Sequence, residues 1–125
     1  MISSLSIKDN ILYPLRLLGV EEGVIRGKYT ALLDRMQLEN VTRLTTKTIS
    51  GGEKQKVAIA RALIHDPDFI IADEPTGNLD WEYTQEIGNQ LLEAHTNGTT
   101  IILITHDIHL LNYLKTKRKV NIFQM

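Results

Sequence analysis

The sequence predicts an α/β protein in which an all-helical segment precedes a parallel sheet flanked by helices. Three observations carry that prediction. Apolar residues in the first half recur at helical spacing, as in Ile11, Leu12, Leu15 and Leu18. After Asp66-Pro67 the pattern changes to two short apolar runs, Phe69-Ile70-Ile71-Ala72 and Thr100-Ile101-Ile102-Leu103-Ile104. A helical stretch, Trp81 to about His95, separates those runs.

The elements follow in order. Ile7 to Leu18 reads as a helix that Gly19 ends. A second helix is expected from about Glu21 to Leu38, with Leu32, Leu33 and Met36 inward and Gly23 and Gly27 weakening its first half. Asn40 to Lys47 is polar, threonine-rich and expected as loop. Ser50 followed by Glu53 is a capping-box pattern opening a third helix to about His65, with Val57, Ala60 and Ile64 on its apolar stripe. Asp66-Pro67 stops it. The two apolar runs are expected as parallel strands buried on both faces. Asn97-Gly98 caps the helix between them, Asp107 to Lys115 is a short helix, and Val120 to Phe123 is expected as a last strand. This divides the chain into a helical part, residues 1–65, and an α/β part, residues 66–125.

Composition narrows the function. Hydrophobic residues make up 42% and charged residues 23% of the 125, an ordinary globular balance. Fourteen basic against fifteen acidic residues give a net charge of -1, so no whole-molecule field favours nucleic acid or anionic lipid. The chain has no cysteine, which excludes disulfides, thiolate metal sites and cysteine nucleophiles. No apolar run approaches the roughly 20 residues that cross a bilayer. Met1 opens into Ile2-Ser3-Ser4-Leu5 without the basic start of a secretion signal, so any membrane role is expected to come through a partner.

Three features carry candidate chemistry. Ser50-Gly51-Gly52-Glu53-Lys54-Gln55 stands at a helix start, where free amides and a serine hydroxyl either cap the helix or receive an anion. Asp73-Glu74 ends the first strand, and consecutive side chains point to opposite sides. Asp73 is then a candidate to hold Mg²⁺ and Glu74 to activate a water, unless the two form a solvated acidic turn. His106 follows the second strand after Thr105. Parallel strands end on one side, so His106 shares a crevice with Glu74, unless it merely serves the next helix.

Together these residues resemble the ATP-binding-cassette (ABC) ATPase family. Thr48 to Leu63 resembles its signature motif and the helix behind it, and Phe69 to Thr76 resembles the Walker B strand with its catalytic glutamate. Gly77-Asn78-Leu79-Asp80 matches the D-loop, and Ile104-Thr105-His106-Asp107 the switch histidine. Leu5 to Leu15 resembles the segment after the Q-loop. The wording of the D-loop and early helices looks most like the lipoprotein-release, macrolide-export and cell-division ATPases.

The resemblance implies a partial P-loop NTPase (RecA-like) parallel sheet, preceded by the family's α-helical subdomain. It implies ATP and Mg²⁺ as cofactors. Ser50, Gly51, Gly52 and Glu53 would belong to the nucleotide-contacting set, meeting ATP held by a second ABC ATPase domain. Asp73 would hold Mg²⁺ through a water, Glu74 would be the general base, and His106 would contact the γ-phosphate. Asp80 would link the two sites. The implied partners are that second ATPase domain, as homo- or heterodimer, and an integral-membrane permease subunit. No nucleic acid is expected. The implied location is cytoplasmic, peripheral on the inner face of the cell membrane.

The sequence also departs from the family pattern. No Gly-x-x-x-x-Gly-Lys-[Ser/Thr] occurs in it, since Lys28 after Gly27 is followed by Tyr29. Such a loop supplies the amide cradle and lysine for the phosphates. Ile49 stands where leucine is usual and Lys56 where arginine is commonest. Truncation at both ends is the resulting expectation, with no ATPase activity in the isolated chain and uncovered apolar sheet surface. The alternative function is a non-catalytic remnant or interaction module. A DNA- or ribosome-directed relative lacks support: no heptads flank the signature motif, and Lys115 to Lys119 is the only basic cluster.

Overall fold

The computed structural model describes residues 1–121 of the chain. Two compact units make it up, Met1–Asp68 and Phe69–Met125.

The first unit is helical: α1 (Ile7–Leu17), α2 (Glu22–Met36), a 3₁₀ turn (Val41–Arg43) and α3 (Gly51–Leu63). Its three long helices pack on one another. Local chemistry sets each start. The Ser6 hydroxyl accepts from the Asp9 amide at α1, and the Glu21 carboxylate accepts from the Gly23 amide at α2. Gly23 therefore does more than weaken the helix, because a Cβ there would stand 3.0 Å from the Glu21 carboxylate. Gln37, with φ 53, ends α2 in a left-handed turn.

The core of this unit is Ile7, Ile11, Leu15, Ile25, Leu38 and Val57, all closed to solvent. Of the residues expected inward on α2, Leu32 and Met36 are buried while Leu33 is only half-buried, and Ile25 joins them one turn earlier. The expected loop after α2 contains the 3₁₀ turn, which buries Val41. Asn10 is a buried polar side chain with every need met: it accepts from the Ile2 amide at 2.7 Å and donates to the Ile2 carbonyl at 2.9 Å. That ties the chain start onto α1. At the far end Asp66, with φ 51, turns out of α3 and pairs with Lys28.

The second unit runs β1 (Phe69–Asp73), α4 (Trp81–Thr96), β2 (Thr100–Ile104) and α5 (Ile108–Lys117). The strands pair in parallel, Phe69 opposite Thr100 and Asp73 opposite Ile104. Helix α4 packs on β2, and α5 packs on α4. Ile87, Leu91, Leu110 and Leu114 form this core. Gly88 lets the helices approach, since a Cβ there would meet the Tyr113 ring at 3.2 Å. Trp81 stands edge-on to the rings of Tyr113 and His109. The basic segment is exposed, with Lys117 over the Tyr113 ring and the Arg118 guanidinium donating to Thr96.

Two expectations diverge here, strands buried on both faces and apolar sheet surface left uncovered. The strands are not buried on both faces: Phe69 and Ile71 are each 60% exposed, and Ile102 and Ile104 share that open face. Ile70, Ala72, Ile101 and Leu103, on the opposite face, are half-buried. A parallel pair has two faces and needs a layer on each. The described residues supply one. The expected last strand cannot be followed, because Ile122 and Phe123 lie outside the described residues, and Val120 and Asn121 are not in a strand.

Candidate functional site

Parallel pairing brings the C-terminal ends of β1 and β2 to the same edge, with Asp73 and Ile104 in register. The ladder then runs one bond further, from the Glu74 amide to the Ile104 carbonyl at 2.8 Å. Glu74 has φ 46, a left-handed backbone that a non-glycine residue adopts rarely and at a cost. This turn carries its carboxylate across to the loop after β2.

Three donors meet the Glu74 carboxylate there. The His106 amide donates to Oε1 at 2.9 Å and lies 3.3 Å from Oε2. The Thr105 hydroxyl donates to Oε2 at 3.2 Å, and His106 Nδ1 lies 2.5 Å from Oε1. The bond from the His106 ring, aided by those from Thr105 and the His106 amide, holds the Glu74 carboxyl below the usual carboxylate range. Glu74 is therefore ionised at neutral pH. The His106 side chain is 97% exposed, and with Nδ1 turned to Glu74 its Nε2 faces outward.

A second set of bonds runs beside the first. Thr76, buried at 3% exposure, donates its hydroxyl to Asp107 Oδ2 at 2.7 Å. Asp107 Oδ1 accepts from the amides of His109 and Leu110, which caps α5. Burial pushes the Asp107 carboxyl up, but the bonds from Thr76, Leu110 and His109 outweigh it and bring it below its ordinary value. Sequence reasoning placed Thr76, Thr105 and Asp107 within motifs but gave none of them a role of its own. A signal existed for Asp107, an N-cap residue type at a predicted helix start.

The other candidate residues are placed as follows. Asp73 is exposed at the end of β1. Among the described residues no group of three or more His, Cys, Asp or Glu forms a metal cluster. A single carboxylate suits Mg²⁺ bound largely by water and phosphate oxygens. Asp80 caps α4 by accepting from the Tyr83 amide at 2.9 Å. Ser50, Gly51, Gly52 and Glu53 belong to the helical unit. There the capping box is complete: the Ser50 hydroxyl accepts from the Glu53 amide at 3.2 Å, and Glu53 Oε2 accepts from the Ser50 amide at 2.8 Å. Ser50 and Gly51 are exposed at the tip, and Gly52 is buried.

Comparison with known proteins gives these residues a context. The family model described as ABC transporter matches residues 2–77. The chain is 36% identical over 117 residues to the cell division ATP-binding protein FtsE of Bacillus subtilis (strain 168), covering 94% of this chain and 51% of that protein. It is 39% identical over 108 residues to the lipoprotein-releasing system ATP-binding protein LolD of Neorickettsia sennetsu (strain ATCC VR-367 / Miyayama), covering 86% of this chain and 48% of that protein. Among solved structures it resembles the ATP-binding cassette MJ0796, in a dimeric post-hydrolysis state bound to ADP and Pi. That match has a TM-score of 0.76 and 30% identity, and covers 90% of this chain and 51% of the other. The chain thus spans about half the length of the curated relatives it matches. Its α/β fold is that part of the P-loop NTPase fold of these cassettes. On this evidence the chain belongs to the ABC transporter family.

Proposed function

We propose that the chain contributes the signature, catalytic-carboxylate and switch-histidine parts of an ATP-hydrolysing ABC subunit, which drives a membrane partner. The observation that carries this reading is the Glu74–His106 pair at the C-terminal edge of a parallel sheet, where ligands bind in open α/β folds. When bound, Mg²⁺-ATP supplies the γ-phosphoryl group to be transferred and a cation that offsets its charge.

The chain's own residues divide the remaining work. Glu74, held ionised, orients an attacking water and takes its proton. His106 turns Nδ1 to Glu74 and offers Nε2 to the γ-phosphate. Asp73 would hold Mg²⁺ through a water. Ser50, Gly51 and Gly52, at an exposed helix start, meet the γ-phosphate of ATP held by a second ATPase domain, and Asp80 links the two sites. The solved relative is a dimer, which supports this arrangement. An integral-membrane permease is the remaining partner. It places the subunit on the cytoplasmic face of the membrane, and no helix among the described residues is long and apolar enough to cross one.

Reconstitution tests the reading. The isolated chain is expected to show no ATP turnover. Mixed with a separately expressed polypeptide bearing the phosphate-binding loop and adenine-contacting strands, it is expected to hydrolyse ATP. Glu74→Gln then cuts that rate by about 10²–10⁴-fold, the range for losing a general base. Hydrolysis indifferent to both Glu74→Gln and His106→Ala would overturn the assignment. One observation favours a second reading, a non-catalytic interaction module: no Gly-x-x-x-x-Gly-Lys-[Ser/Thr] occurs in the sequence. Binding to the complementary polypeptide without hydrolysis would select it.

A further inference from the structure

We propose that Thr76 and Asp107 form a positioning pair that latches the loop after β1 to the loop after β2 and so sets the Glu74–His106 contact. The proposal rests on the reading of Glu74 and His106 as the working pair and adds what holds them in place.

Two cross-links join the same two loops. Glu74 and Thr76 come from the first, and Thr105, His106 and Asp107 from the second. Capping α5 needs only Asp107 Oδ1, which already accepts from two amides. The second oxygen reaches across to a buried hydroxyl on the other loop, a bond that a helix cap alone does not require. Asp107 also acts through its backbone, its amide donating to Thr105 Oγ1 at 2.9 Å. With a lone pair of Thr105 engaged in that way, its proton is directed to Glu74 Oε2. Asp107 therefore orders Thr105 from one side and receives Thr76 from the other. The left-handed backbone at Glu74, φ 46, persists only where its surroundings over-determine it, and these bonds supply that constraint.

The test reads the His106 ring in the whole 125-residue chain, by side-chain ¹⁵N NMR at one fixed neutral pH without nucleotide. Glu74→Ala marks the ring shifts of the uncoupled state. Thr76→Val keeps the shape and removes the hydroxyl, and is expected to move the His106 Nδ1 shift most of the way to the Glu74→Ala position. Thr76→Ser restores the hydroxyl and is expected to return the shift to wild type, a rescue that a packing role for Thr76 would not give. If Thr76→Val fails to fold, Asp107→Ser replaces it: serine still caps α5 but is too short to hold Thr76 as well, and the same shift is expected.

A His106 ring unmoved by the severed link, or a Thr76→Ser variant that fails to restore it, overturns the latch. So does a wild-type ring already at the Glu74→Ala position. A reconstituted ATPase indifferent to both Glu74→Gln and His106→Ala sinks the functional reading instead, and leaves these shifts to decide the latch by themselves.

Discussion

The helical unit and the sheet unit solve burial differently. In the first, α1, α2 and α3 turn their apolar stripes toward one another, so Ile7, Ile11, Leu15 and Ile25 are 0–1% exposed. In the second, α4 and α5 bury Ile87 and Leu110 as fully, yet Phe69 and Ile71 remain 60% exposed on the same strand. The difference lies in the elements. A helix hides one stripe and three helices can close a core among themselves, whereas a parallel strand is apolar on both faces and needs two layers. The loops that carry Glu74 and His106 sit on the unit whose burial is incomplete.

That contrast can be broken by opening the closed core. Ile11→Ala or Leu15→Ala is expected to destabilise the helical unit by about 2–5 kcal/mol, the range for a large-to-small change at a buried site. Urea unfolding followed by amide exchange of α1 to α3 measures it. In the sheet unit the largest single loss short of the core is expected at Asp107→Ala, about 1–2 kcal/mol for a helix cap. It should show as faster exchange in α5. The folded pKa of Asp107 lies below its unfolded value, so this contribution is fully present above about pH 4. It is lost as pH falls through the lower folded value, and Asp107→Asn should remove that acid dependence from α5.

Gly27→Ala sharpens the comparison from the other side. The glycine lies inside α2 with nothing within 4 Å of where a Cβ would stand. Alanine there should stabilise the helical unit by about 0.5–1 kcal/mol, read as a shift in the urea midpoint. The smallest change in stability, within about 0.5 kcal/mol, is expected for Ile71→Thr with Ile102→Thr, both on the open sheet face. Its effect should appear in association: light scattering at rising concentration should show less self-association than in the wild-type chain.

The same contrast explains what could be read in advance. Capping chemistry is local, so Ser50 with Glu53 announced α3, and the complete box is present. The strands were legible from Phe69–Ala72 and Thr100–Ile104, because short apolar runs carry their own signal. Nothing in the runs themselves gives their exposure; the expectation of uncovered sheet surface came from the absent Gly-x-x-x-x-Gly-Lys-[Ser/Thr]. Apolar residues at Phe69 and Ile71 declare what the sheet needs, and only tertiary structure shows whether a layer meets it. Leu33 was placed too far inward and Ile25 overlooked, since helix periodicity fixes a stripe only to within a residue. The Thr76–Asp107 bond joins residues 31 apart, and no pattern within either loop foretells it.

The closed capping box at α3 has an experimental corollary. Ser50 lends a lone pair to the Glu53 amide and still has a hydroxyl proton to give to a ligand. Ser50→Ala would fray the start of α3 and remove that outward donor in one stroke, so a defect in it could not be assigned to either. Glycine begins helices nearly as well as serine, within a few tenths of a kcal/mol. Ser50→Gly is therefore the variant that mutes the donor while leaving the helix to stand.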